Sequence, residues 1–114
     1  MDQALKSLKA VSDVTRVRLL LLLMEREACV CELMAVFGMA QSKLSHHLLM
    51  LRDTGFLEGE KRGKWNYYRL KPTALNRFNK DLLSSLSKNL VGESVITKDR
   101  KSLQEVKKRM KICC

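Results

Sequence analysis

The chain has 114 residues, of which 22 are lysine or arginine and 12 are aspartate or glutamate, so its formal net charge is +10. This length suits one small domain, and the positive charge favours a polyanionic partner such as nucleic acid. The longest apolar run, residues 19–24, is too short to span a membrane, and no signal-peptide pattern begins the chain. We therefore expect a cytoplasmic protein without a membrane partner. In that reducing compartment its four cysteines would serve metal binding or redox sensing.

Helical periodicity accounts for the first forty residues. Leu5 and Leu8 indicate a short first helix that needs a partner surface, and Ser12-Asp13 can cap a second helix. Apolar residues nearly surround this second helix, which predicts a central position. Its expected buried face consists of Val14, Val17, Leu20, Leu21 and Met24. A third helix is expected to start at Cys29 and to end at Gly38.

Residues 41–55, QSKLSHHLLMLRDTG, carry the main functional signal. Leu44, Leu48 and Leu51 recur at helical spacing and predict a buried side. The other side presents polar residues that can contact bases or phosphates in a DNA major groove: Gln41, Ser42, Lys43, Ser45 and His46. Taken alone, the pattern also fits an ordinary amphipathic surface helix. The short helix and the glycine-containing link before it favour a helix-turn-helix.

A basic hairpin is predicted directly after this helix. Alternating residues indicate strands over 56–61 and 64–70, with Arg62-Gly63 in the turn. Because Lys61, Arg62 and Lys64 make the tip basic, we interpret the hairpin as a wing that contacts DNA phosphates. The alternative is a solvated hairpin tip without a partner.

The last forty residues contain two amphipathic segments. Pro72 is expected at the first position of a long helix with the apolar stripe Leu75, Phe78, Leu82, Leu86 and Leu90. Together with residues 1–11, this stripe predicts a homodimer interface. Residues 91–102 are expected to form a flexible connector, followed by a basic helix with Leu103, Val106 and Met110 on one face. This divides the chain into a DNA-binding and dimerisation domain, residues 1–90, and a C-terminal connector and helix, residues 91–114.

The predicted fold is mainly α with a small β-hairpin. It is a homodimeric winged helix-turn-helix with the order α-α-α-α-β-β-α plus a C-terminal helix.

The cysteines form two close pairs. On a regular helix Cys29 and Cys31 would lie about 200° apart, so joint binding of one ion would have to distort the start of the third helix. A helix N-terminus favours the thiolates that bind soft ions, although two small buried apolar residues are the alternative. Cys113-Cys114 can supply a third sulfur or form a redox-sensitive tail, and the residues do not decide between these.

Four segments in order, SDVTRVRLL, ACVCEL, QSKLSHHLLMLRDTG and GKWNYYRL, resemble the ArsR/SmtB family of winged-helix metal-sensing repressors over about residues 8–72. Within that family, CVCEL is similar to the arsenic- and cadmium-responsive members. The resemblance implies a homodimer that binds double-stranded operator DNA and releases it on metal binding. Cys29 and Cys31 would bind arsenite or antimonite, with cadmium or lead as the alternative. His47 matches a family histidine, and its partner is either the protein backbone or a phosphate.

The chain also departs from the family pattern. Val14 and Ser42 stand where proline is common, and His46 stands where arginine is common, so base preference is expected to differ. Met34 occupies the position of a third cysteine in the arsenic repressors closest in motif, and a thioether replaces a thiolate on arsenite poorly. The family's other metal site, on the fifth helix, is absent because no histidine follows His47.

Two other functions compete with a metalloid-responsive transcriptional repressor. A winged-helix regulator that senses oxidation through Cys29/Cys31 or Cys113/Cys114 would use the same residues. A small thiol oxidoreductase or arsenic-processing reductase would need a Cys-x-x-Cys motif or a glycine-rich phosphate loop, and the sequence contains neither. We therefore expect a DNA-binding regulator and not an enzyme.

Overall fold

The computed structural model describes residues 1–109. The elements follow in the order α1 (Asp2–Ala10), α2 (Val14–Glu25), β1 (Ala28–Cys29), α3 (Val30–Phe37), α4 (Gln41–Asp53), β2 (Glu58–Arg62), β3 (Trp65–Arg69), α5 (Arg77–Leu90) and α6 (Ser94–Arg109). A short 3-10 turn, Pro72–Ala74, precedes α5. This order confirms the predicted winged helix-turn-helix with an added C-terminal helix. Within residues 1–109, no helix combines the length and the apolar character that crossing a membrane requires.

Helix α2 lies at the centre of the core. Its residues Leu19–Leu23 are all buried, and α4 packs on it through Leu44, Leu48 and Leu51, which are buried as the sequence predicted. The predicted buried face of α2 is wrong at its ends, because Val14 and Met24 are 74% and 43% exposed. These two residues occupy the first and next-to-last positions of the helix, beyond the part that its neighbours cover. The core therefore fixes α4 from behind and leaves its polar side outward.

The three strands form one small antiparallel sheet in the order β1-β3-β2. The sequence did not predict β1, because a strand of two residues is too short to show alternation. Ala28 pairs with Tyr68 and Cys29 with Tyr67, so the first cysteine belongs to the same sheet as the wing. The hairpin turn is Gly63-Lys64, one residue later than predicted, since Arg62 pairs with Trp65. Gly63 has φ +63°, which glycine adopts without strain.

Helix α5 begins five residues later than expected. Asn76 caps it by accepting a hydrogen bond from the Asn79 backbone N–H at 2.8 Å, whereas Pro72 opens the 3-10 turn instead. The helix buries Asn79 and Leu83 against the domain. Its predicted apolar stripe lies beside this face, with Phe78 exposed and the leucines 75, 82, 86 and 90 half-buried. Most of the stripe is thus left partly uncovered in the single chain.

Helix α6 replaces the expected connector. Residues 94–102 are helical rather than flexible, because α6 packs on α2 and α3 from its first turn through Ile96. Leu103 and Val106 are buried, as predicted, while Met110 lies outside the described residues. The apolar periodicity did not indicate the earlier start of α6 because one of its buried positions is charged. Asp99 accepts two hydrogen bonds from Arg18, at 2.7 and 2.9 Å. The domain division at residue 90 stays a prediction.

Candidate DNA interface and cysteine site

Helix α4 presents the predicted polar face to solvent. Gln41, Ser42, Lys43 and His46 are exposed and Ser45 is half-buried. Ala40 is the residue before the first turn, and its side chain cannot cap the backbone N–H groups there. A helix start of this kind attracts phosphate, because its N–H groups point outward at the positive end of the helix dipole. These four exposed side chains and the helix start therefore lie where a DNA groove could receive them.

His47 lies behind this face and not on it. It is 8% exposed, and Arg16 Nη1 lies 3.1 Å from its Nδ1, so a neutral ring would accept a hydrogen bond there. Burial lowers the pKa of His47, and the Arg16 guanidinium lowers it further, while the Asp13 carboxylate 4.0 Å away opposes both effects. The observed partner is the Arg16 side chain rather than the protein backbone, and the phosphate contact stays a prediction. We therefore leave His47 out of the DNA-contacting surface proposed below.

Arg16, which the sequence reading missed, connects two helices through this contact. Its Nε donates to the Ala10 carbonyl oxygen at 2.6 Å, at the end of α1. The same guanidinium reaches His47 on α4. An arginine in a largely apolar helix was a signal that it has partners within the protein.

The wing carries a network of exposed ion pairs that the sequence reading also missed. Arg62 donates to both Glu27 carboxylate oxygens, at 3.0 and 2.8 Å, and to Glu60, which also accepts from Arg69 at 3.0 Å. Hydrogen bonds from Arg62 and Arg69 lower the pKa of Glu60 to about 2. The charge of Arg62, a predicted phosphate contact, is thus already compensated in the free protein.

The other two basic residues of the wing are differently placed. Lys61 is exposed, and Lys64 Nζ lies 5.4 Å from the centre of the Trp65 ring. Neither belongs to an ion pair within the part of the chain that the structure describes. Their charges remain available for a phosphate backbone.

Cys29 and Cys31 lie side by side at the start of α3. Cys29 precedes the helix with an extended backbone, φ −90° and ψ 163°, and its Sγ lies 2.9 Å from that of Cys31. The expectation that the two side chains diverge by about 200° is wrong, because only Cys31 lies inside the helix. No large distortion is needed to bring both sulfurs to one ion. Two sulfurs bound at 2.3 Å to a tetrahedral ion would be about 3.8 Å apart, a modest widening from the observed distance.

A buried carboxylate holds this helix start. Glu32 is 4% exposed, and it accepts the Cys29 backbone N–H at 2.9 Å and Lys107 Nζ of α6 at 2.8 Å. The backbone at the first cysteine is thereby tied to the end of α6. The capping box that forms here follows from glutamate three residues after the cap position, a spacing that the sequence does contain.

A small cavity joins Cys31 to both predicted DNA-contacting elements. Its volume is about 140 Å³, and its lining includes Cys31 and Met34 of α3, Gln41 of α4, and Lys64 and Trp65 of the wing. Met34 lines this cavity beside Cys31, but its sulfur is a thioether and a poor replacement for a thiolate ligand. In residues 1–109, no cluster of three or more histidine, cysteine, aspartate or glutamate side chains is suited to a metal ion. Among the described residues the site therefore offers two cysteine sulfurs, and the predicted ligands Cys113 and Cys114 lie outside the described residues.

Comparison with known proteins places this arrangement in a family. Residues 13–58 match the profile of the "Bacterial regulatory protein, arsR family". The chain is 46% identical over 65 residues to the arsenical resistance operon repressor of Escherichia coli K12, covering 56% of each protein. It therefore spans about half the length of that relative. It is 36% identical over 75 residues to the arsenical resistance operon repressor of Staphylococcus xylosus, covering 66% of this chain and 72% of that one.

The fold agrees with these matches. The solved structure of HlyU from Vibrio cholerae N16961 superimposes with a TM-score of 0.67 at 28% sequence identity, over 79% of this chain and 94% of that one. The matched region contains α2 to α4, and so includes the cysteine pair and the polar face of α4. The chain belongs to the ArsR family of bacterial regulatory proteins.

Proposed function

We propose that the protein is a metalloid-responsive transcriptional repressor, which binds operator DNA as a homodimer and releases it when arsenite or antimonite binds Cys29 and Cys31. The observation that carries the proposal is the sulfur pair at the junction of α3 and the wing sheet, 2.9 Å apart and beside the cavity that Gln41 and Lys64 also line. Two of its relatives are named arsenical resistance operon repressors.

DNA binding is assigned to the exposed face of α4 and to the wing. Gln41, Ser42, Lys43, Ser45 and His46 would face base edges and phosphates in the major groove, because they surround the helix start. Lys61 and Lys64 would contact phosphates directly. Arg62 would have to exchange Glu27 or Glu60 for a phosphate, so we expect a smaller contribution from it.

The homodimer is assigned to α1 and to the stripe on α5. Leu5 and Leu8 of α1 are 56% and 42% exposed, and Phe78 of α5 is 38% exposed. Apolar side chains that are left in water on these two helices favour association with a second copy. A dimer would also set the separation of the two α4 helices over two operator half-sites.

Release would start at the cysteine backbone. Binding of both sulfurs to one ion would widen their separation, and this would move Cys29, which pairs with Tyr67 of β3 and donates to Glu32. The displacement would therefore reach the wing through the sheet. It would reach α4 through Cys31, which lines the same cavity as Gln41. A ligand that prefers the moved arrangement would shift the dimer towards a state that fits the operator poorly.

The identity of the ion rests on sulfur chemistry. Soft thiolates favour arsenite and antimonite, and cadmium or lead are the alternative ions for the same pair. A third sulfur for arsenite could come from Cys113 or Cys114. Oxidation is a second candidate signal, favoured by the 2.9 Å separation, since two sulfurs this close can be joined with little movement.

The test is operator release in matched serine variants. We expect Cys29→Ser and Cys31→Ser to bind operator DNA normally but to stay bound when arsenite is added under reducing conditions. The Cys113→Ser/Cys114→Ser double variant serves as control: reduced arsenite affinity assigns the third sulfur to the tail, and unchanged affinity excludes it. Normal release by arsenite in the Cys29→Ser/Cys31→Ser variant would contradict the proposed site. Release by a disulfide-forming oxidant alone would favour the redox alternative.

A further inference from the structure

A basic cleft lies at the end of α6, apart from the α4 face and the wing. Its volume is about 430 Å³, and its lining residues are Arg26, Gln104, Lys107 and Lys108. None of the four is acidic. Arg26 and Lys108 are exposed and take part in no ion pair among residues 1–109. Two of its three cationic groups are therefore available for an anionic partner.

The position of the cleft follows from two contacts. Lys107 Nζ binds the Glu32 carboxylate, and Glu32 is the residue after Cys31. Cys31 lines the small cavity that Gln41 and Lys64 also line. On the other side, Arg26 directly precedes Glu27, which binds Arg62 of the wing. The cleft therefore lies beside the start of α3, and its Arg26 is next in sequence to the residue that binds the wing.

One of the three cations of the cleft, Lys107, is held in place by an ion pair. The Lys107 side chain is only 17% exposed and is tied to the buried carboxylate of Glu32, so the end of α6 has a defined position. DNA offers one phosphate per 3.4 Å of helix axis on each strand, so a strand that passes the wing brings further phosphates close by. A fixed helix end with adjacent unpaired cations suits binding to such a strand.

We propose that Arg26 and Lys108, beside Lys107, bind DNA phosphates outside the base pairs covered by α4 and the wing. This rests on the proposed function, because it assumes that the wing and α4 contact DNA. The partner is the backbone of the same duplex, and no base sequence is read in the cleft. The contact would lengthen the footprint beyond the half-site and raise the salt dependence of binding.

The experiment compares two duplex lengths. The wild-type protein first selects a duplex from a random pool. This duplex is then used in two lengths: the short one is trimmed to the α4 and wing footprint, and the long one adds about ten base pairs, one helical turn, on each side. Affinity is measured against salt for wild type and for Arg26→Ala/Lys108→Ala. On the long duplex the variant should lose about 0.9 units of log–log slope for each lost contact. On the trimmed duplex it should match wild type.

Matched variants separate this contact from general charge effects. Lys98→Ala, the control for the single variant Lys108→Ala, removes one charge from an exposed site earlier on α6 and should leave both slopes unchanged. Arg26→Lys and Lys108→Arg keep the charges and should keep the slope. Equal slopes for Arg26→Ala/Lys108→Ala and wild type on the long duplex would overturn the proposal, and would leave the cleft to an acidic protein partner. Equal losses on both duplexes would also overturn it. If the wild-type protein selects no duplex, the proposed function itself fails, and this inference fails with it.

Discussion

Arg16 and His47 show how a single side-chain contact can orient a recognition helix. The Arg16 guanidinium holds the carbonyl end of α1 and the imidazole of α4 at once. Because the arginine can only donate, the contact is a hydrogen bond only when His47 Nδ1 keeps its lone pair, which favours the neutral ring. Protonation would place two cations 3.1 Å apart in a mostly buried site.

This gives a pH dependence whose direction is fixed. Burial lowers the pKa of His47 below 6.5, so between that value and the folded pKa the unfolded chain binds more protons than the folded one. We expect the free energy of unfolding to be fully maintained above pH 6.5 and to decrease as the pH falls below it. Urea denaturation at pH 7.5 and 5.5 measures the difference. His47→Asn should reduce this difference in the free energy of unfolding, whereas His46→Asn, at the exposed neighbouring position, should retain it. An equal pH dependence in the two variants would contradict the assignment to His47.

At the scale of elements, α6 is held to α2 and α3 by three ion pairs as well as by apolar packing, and one of them joins Arg100 to Glu25 at 3.3 Å. Arg18 of α2 binds Asp99 through two hydrogen bonds and also lies over the Phe37 ring of α3, 4.5 Å from its centre. Lys107 binds Glu32 further along the same helix. The Asp99 side chain is 5% exposed and that of Arg18 is 23% exposed, so removing Asp99 leaves a half-buried guanidinium without its carboxylate.

We expect Asp99→Ala to lower the free energy of unfolding by about 3 kcal/mol, the scale found when one member of a buried ion pair is removed. Asp81→Ala on α5 is the control, since Asp81 is exposed and surface charges contribute little. Chemical denaturation monitored by circular dichroism compares the two. A loss under 1 kcal/mol for Asp99→Ala would mean that the Arg18–Asp99 pair does not hold α6 in place.

The elements also show where sequence patterns stop being informative. Leu44, Leu48 and Leu51 revealed α4 because its buried side is wholly apolar. Strand β1 has two residues and no period, and α6 was read too short because the buried Asp99 interrupts its apolar stripe. The closeness of the Cys29 and Cys31 sulfurs was missed for another reason: their spacing implies divergence only on a helix, whereas Cys29 has extended backbone. Long-range partners such as Arg16 with His47 and Lys107 with Glu32 are set by tertiary packing, which spacing alone does not encode.

At the scale of the whole molecule, the uncovered apolar surface predicts self-association. Leu5→Glu should yield monomers, because a charge at this 56% exposed position would be buried against the second copy but is harmless to the single chain. Lys6→Gln changes the net charge by the same amount on the same helix and should remain dimeric. Sedimentation velocity at equal concentrations compares them. A dimer that persists in Leu5→Glu would place the interface elsewhere.

Trp65 gives the molecule an intrinsic optical reporter. It is the single tryptophan in the chain, and it lines the same small cavity as Cys31. Its emission should therefore change when arsenite occupies the cysteine pair, even without DNA, since a heavy atom and a shifted sulfur would adjoin the indole. Fluorescence titration of the DNA-free protein would then follow binding and separate it from operator release. The response should vanish in Cys31→Ser and persist in Cys113→Ser/Cys114→Ser, so that one unlabelled side chain reports the chemistry of its neighbour.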